Sequence, residues 1–97
     1  MFIVSLTYTC ELDQIDQHLD AHVAYLHEQY KAGHFIASGR KVPRNGGIIL
    51  ATADSRETLE NILQADPFYT ENLAAYDIQE FIPSMVANGL EAIQEKA

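Results

Sequence analysis

The sequence has no tryptophan, one cysteine, three prolines and only six lysines and arginines among 97 residues. Each shortage closes something off. The lone thiol, Cys10, cannot form an internal disulfide, and no multi-cysteine metal pattern can be written. Six cations against fourteen acids leave a formal charge of −8. Such a surface repels phosphate backbones and anionic lipid headgroups, so neither nucleic acid nor a membrane is an expected partner. No apolar run approaches the roughly 18–20 residues of a membrane span, and no basic segment followed by an apolar stretch opens the chain. A soluble cytoplasmic protein is the expectation.

What is present is ordinary for a globular domain: 47% apolar and 21% charged residues. The length suits one domain with a modest core, so a stable pocket is either shallow or shared with a second copy. Residues 1–83 read as that domain and 84–97 as a tail.

Phe2 to Tyr8 is β-branched and aromatic with period-two alternation, placing Phe2, Val4, Leu6 and Tyr8 on one face of a strand. A helix follows, with Asp13 as the expected N-cap and Asp16 in its first turn. Its apolar stripe is Ile15, Leu19, Val23, Leu26 and Tyr30, and Gly33 ends it. His34 to Lys41 is the second strand. Pro43 to Gly47 is turn chemistry, where Asn45-Gly46 offers the positive φ angles of a tight hairpin. Ile48 to Ala53 reads as a central strand. Asp54 and Glu57 stand in a capping-box relation ahead of a short helix carrying Leu59, Ile62 and Leu63, which Asp66-Pro67 stops. The last strand runs from about Ala75 to Ile82, with Tyr76, Ile78 and Ile82 on one face.

This order is β-α-β-β-α-β, the ferredoxin-like split βαβ arrangement of the α+β class: a four-stranded antiparallel sheet with two helices on one face. The uncovered face is expected to hold Ile3, Ile36, Ile49 and Phe81 and to be buried by a second copy. In the tail, Val86, Leu90 and Ile93 have helical spacing interrupted by Asn88-Gly89, which suits a short helix or a frayed end.

His22 lies within the helical stripe. An imidazole there is either a satisfied structural group or a general base turned toward a cleft, since its ordinary pKa lies nearest neutrality. Asp66 precedes Pro67, and so is either the N-cap of a short turn or the carboxylate that orients a histidine. Arg40, Lys41 and Arg44 concentrate half the cations near the hairpin, as solvated charge or as an anion receiver. His18 lies four residues before His22, but no third metal ligand is evident. Neither a metal nor a cofactor is expected.

Three stretches together resemble the YciI-like (YCII-related) family of small bacterial proteins: Ala21-His22-Val23-Ala24-Tyr25-Leu26, Gly33-His34-Phe35-Ile36-Ala37-Ser38-Gly39 and Ala65-Asp66-Pro67-Phe68. The resemblance covers about residues 1–85. It implies a ferredoxin-like subunit that dimerises through its open sheet face into a dimeric α+β barrel, and a His–Asp site carried by His22 and Asp66. Ser38, Phe68 and Arg40 are the expected substrate contacts. Arg40 is a departure, because the family often has Gly-Pro after the second strand where this chain has Gly39-Arg40. If it borders the pocket, it favours an anionic or phenolate-like ligand. The resemblance further implies a cofactor-independent enzyme performing elimination or isomerisation on a small cyclic or aromatic metabolite. The alternative is a non-catalytic dimeric small-molecule-binding or accessory module.

Overall fold

Four strands and four short α-helices account for most of the chain in the computed structural model, which describes residues 1–96. The strands are β1 (Phe2–Tyr8), β2 (Phe35–Arg40), β3 (Gly46–Ala51) and β4 (Ala74–Glu80). The helices are α1 (Leu12–Gln17), α2 (Leu19–Lys31), α3 (Arg56–Leu63) and α4 (Pro67–Thr70). The sheet is antiparallel throughout, in the order β2-β3-β1-β4. Each helical connection therefore skips one strand position, which is the split βαβ topology read from the sequence. No described helix is long and apolar enough to cross a membrane.

The core lies between the sheet and the helices. From β1 come Phe2, Val4 and Leu6, all buried as the alternation requires, and Ile15, Leu59, Leu63 and Phe68 close over them from the helices. Several boundaries and faces differ from the expectation. The first helix is two helices, broken at His18 (φ −108°, ψ 5°), and Glu11 rather than Asp13 precedes its first turn. The break resets the phase of the inward face. Tyr25 is buried and donates its hydroxyl to the Ile62 carbonyl at 2.8 Å, whereas Val23 and Tyr30, assigned to the buried stripe, are 39% and 36% exposed. Satisfying the phenol is what lets Tyr25 replace an aliphatic residue in the core.

Ile49 is likewise a core residue rather than part of the open face: it pairs with Val4, and a period of two then puts Ile48 and Leu50 on the open side. A β-bulge between Phe35 and Ala37 takes up Ile36, and Phe81 lies beyond the end of β4. Ser55, not Asp54, caps α3, its hydroxyl accepting from the Thr58 amide at 3.1 Å.

The Asn45-Gly46 pair does not make a positive-φ turn. Gly46 is already in β3 opposite Thr7, and residues 41–45 form a wider loop closed by the Lys41 amide donating to the Gly46 carbonyl. Glycine is required at 46 for closeness: a Cβ there would stand 1.8 Å from the Leu6 carbonyl oxygen. Positive φ occurs instead at Gly33, the expected end of α2. Among the described residues the tail contains a single 3₁₀ turn, Glu91–Ile93, and bends back so that Glu95 pairs with the amino terminus at 3.1 Å.

Candidate active site

Asp66 sits where the chain leaves α3 and turns into α4. The following proline disfavours helical backbone at 66, and the residue is extended (φ −68°, ψ 129°) with Pro67 in the first turn of α4. Its Oδ1 accepts from the Phe68 amide at 3.0 Å, an N-cap bond. The structural role read from the sequence is therefore real, and it does not exhaust the carboxylate. The same Oδ1 lies 2.7 Å from His22 Nδ1, and Oδ2 accepts from the Tyr76 hydroxyl at 2.7 Å. Asp66 is 0% exposed. Burying a carboxylate costs several kcal/mol unless donors replace its water, and hydrogen bonds to a charged group return roughly 1.5–3 kcal/mol each. Three donors from three separate elements meet that requirement.

The network also assigns the histidine proton. A carboxylate only accepts, so Nδ1 of His22 carries the hydrogen and donates it. In the neutral ring Nε2 is then left with its lone pair. The ring is fixed from the side as well, lying 3.9 Å from the Phe68 ring and within 5° of parallel. Its side chain is 12% exposed. The inner end of the site thus consists of one imidazole clamped in plane, in tautomer and in tilt.

Above this clamp, between α2 and the β2–β3 end of the sheet, is a cleft of about 270 Å³. His22, Ser38, Arg40 and Phe68 line it, and Asp66 lies beneath. Register explains the strand residues. Ser38 pairs with Ile49 and Arg40 with Gly47, while Ile49 and Gly47 pair with Val4 and Leu6. All belong to the helix-facing side of the sheet. Ser38 Oγ lies 2.6 Å from the Tyr30 hydroxyl. Lys41 and Arg44, clustered with Arg40 in sequence, are engaged elsewhere: Lys41 Nζ donates to Thr7 Oγ1 at 3.2 Å, and Arg44 pairs with Asp16. His18 is held at the α1–α2 break by the Gln14 carbonyl, 3.0 Å from its Nδ1. His34 contacts Gln29, and Cys10 Sγ lies 3.6 Å from the Leu73 carbonyl.

Two tyrosines that the sequence pattern does not single out, Tyr76 and Tyr25, adjoin the Asp66 network. Burial first, and then the Asp66 charge, push both phenols well above their ordinary range, so each keeps its proton beside the carboxylate. A tyrosine at a core-facing position is itself a signal, because its hydroxyl must find an acceptor. Which acceptor Tyr76 finds depends on β4 running beside α4, and local pattern does not carry that.

Comparison with known proteins bears on this arrangement. No curated protein matches the sequence. Among solved structures, one similar fold is that of 5-chloro-2-hydroxyhydroquinone dehydrochlorinase from Burkholderia phenoliruptrix AC1100, determined in complex with 2,5-dihydroxybenzoquinone. It superposes with a TM-score of 0.71 over 82% of this chain and 91% of that one, at 18% identity, a likeness of fold. The family model of the YCII-related domain matches residues 1–82, which take in all four strands, all four α-helices and every residue of the cleft. The chain therefore belongs to the YCII-related domain family.

Proposed function

We propose that this protein is a cofactor-independent enzyme in which His22 acts as general base, oriented by Asp66, on a small cyclic or aromatic substrate bound in the cleft against Ser38, Arg40 and Phe68. The observation that carries this reading is the 2.7 Å contact between His22 Nδ1 and a fully buried carboxylate, with the ring edge at a cleft wall. In the reaction, Nε2 takes a proton from an activated carbon. The electron pair of that C–H bond forms a new double bond while a leaving group departs with its own pair (elimination), or the proton returns at another carbon (isomerisation). Asp66 stabilises the imidazolium and fixes its orientation. General base catalysis supplies only about 10²–10⁴-fold, so the substrate must already be acidic. Hydroxylated quinols meet that condition, and the structural neighbour is a dehydrochlorinase of such a compound.

The test is chloride release from 5-chloro-2-hydroxyhydroquinone. Wild type is expected to accelerate it, and His22→Asn to lose about 10²–10⁴-fold in kcat with the fold intact by circular dichroism. Turnover unaffected by His22→Asn overturns the assignment of the base. Binding of hydroxyquinones with no turnover points instead to a small-molecule-binding module.

The same reading takes the protein as a homodimer joined through the open sheet face, where Ile48 is 39% exposed beside the partly buried Ile3 and Leu50. Sedimentation equilibrium should return twice the chain mass, and a monomer at micromolar concentration contradicts it.

A further inference from the structure

We infer that the cleft selects planar organic anions and that Arg40 is the residue that selects them. This rests on the proton-transfer reading of the same cleft and adds the charge of its ligand. The first support is a contrast in composition. The chain carries fourteen acids and six lysines and arginines, yet among the described residues no aspartate or glutamate lines the cleft, and Arg40 is its one lysine or arginine. The Asp66 carboxylate lies under His22 with both oxygens already bonded to protein donors. The charge carried by the cleft lining is thus opposite in sign to the net charge of the chain.

The second support is the state of the arginine. Lys41 donates to Thr7 and Arg44 to Asp16, whereas Arg40 makes no ion pair and no side-chain hydrogen bond among the described residues. Its position is set by register. Arg40 stands on the helix-facing side of β2 opposite Gly47, and β2 has Gly39 immediately before it. Glycine at 47 leaves the strip beside the guanidinium without a side chain. A guanidinium presents paired N–H donors in a plane, suited to a carboxylate or to the oxygens of an ionised hydroxyquinone.

The third support is the shape of the rest. The His22 and Phe68 rings lie parallel, and Leu6, Val23 and Ile49 supply apolar wall. At about 270 Å³, the cleft falls just below the roughly 300–1,000 Å³ of drug-sized sites, which suits a single substituted ring. A ring with its anionic oxygens at Arg40 enters with the opposite part of its edge toward the histidine end.

Isothermal titration of the intact chain with two probes tests this. One is 2,5-dihydroxybenzoquinone, whose acidic hydroxyls are ionised at neutral pH; the other is 2,5-dimethoxybenzoquinone, the same ring without charge. Wild type should bind the anion more tightly. Arg40→Gln should weaken anion binding about 10- to 100-fold and leave the neutral probe unchanged. Arg40→Lys should recover part of the loss, since charge survives but the planar fork does not. Equal wild-type affinity for both probes, binding of neither, or an equal loss of both in Arg40→Gln overturns the proposal. His22→Asn separates the two readings: it should retain the preference for the anion even if turnover shows that His22 is not the base.

Discussion

At the inner end of the cleft a carboxylate is wholly buried and held by three protein donors, while at the outer end a guanidinium stands on an exposed edge strand without a partner among the described residues. Both ends carry charge, but their energies are realised at different moments. The Asp66 network forms on folding and is complete before any ligand arrives, so its hydrogen bonds belong to the stability of the chain. Arg40 contributes little to the folded state and can contribute fully only to a complex. On the proposed reading, a site divided in this way separates orientation of the base from capture of the substrate.

The sharpest way to break the comparison is Asp66→Ala. It removes the cap of α4 and strands the His22 and Tyr76 donors, and should cost about 3–5 kcal/mol in urea unfolding. A loss below about 1 kcal/mol would mean that the network is not the structural centre described here. Tyr76→Phe removes one donor and leaves the ring in place, so a loss of about 1–2 kcal/mol is expected.

The same substitution bears on alkaline stability. Tyr76 and Tyr25 have their folded pKa raised by burial and by Asp66. Above the free phenol value of about 10 the unfolded chain sheds protons that the folded chain retains. The folded state then binds more protons, and stability falls as pH rises. The stabilising contribution is complete below about pH 10 and is lost from there upward toward the folded values. Tyr76→Phe should therefore flatten the decline of melting temperature between about pH 10 and 11, and an unchanged slope would remove Tyr76 from the account.

Smallest of all, Arg40→Gln should change unfolding free energy by no more than about 0.5 kcal/mol. A larger loss would mean that the guanidinium has a structural partner and that the two ends are not so different.

Much of this was legible in the residues. Alternation from Phe2 to Tyr8 located the first strand and its buried face, and Asp66-Pro67 marked the end of α3 and offered Asp66 as a cap. The order of elements led directly to the sheet topology. The face of α2 was misread because a break at His18 shifts the helical phase, and periodicity counted across a break assigns Val23 and Tyr30 inward instead of Tyr25. Ile49 was misassigned by one strand position, because register in a continuous apolar run is decided by pairing with Val4 rather than by alternation. Asn45-Gly46 looked like a turn because glycine's conformational freedom is the commoner reason for the pair, whereas here the reason is the Leu6 carbonyl at close range. The His22–Asp66 pairing was nominated from family resemblance, since a separation of 44 residues gives no geometric signal by itself. Tyr76 lay beyond reach for the same cause: its role follows from a long-range contact between β4 and the start of α4.

The most direct test of the central claim, that Asp66 holds His22 with Nε2 available as a base, is the ring ¹⁵N spectrum of His22 in wild type and in Asp66→Asn at a pH where the ring is neutral. Wild type should show a single tautomer, protonated at Nδ1, with a slowly exchanging downfield imidazole proton, and Asp66→Asn should lose both features. Identical spectra, or a wild-type ring protonated at Nε2, would contradict the account.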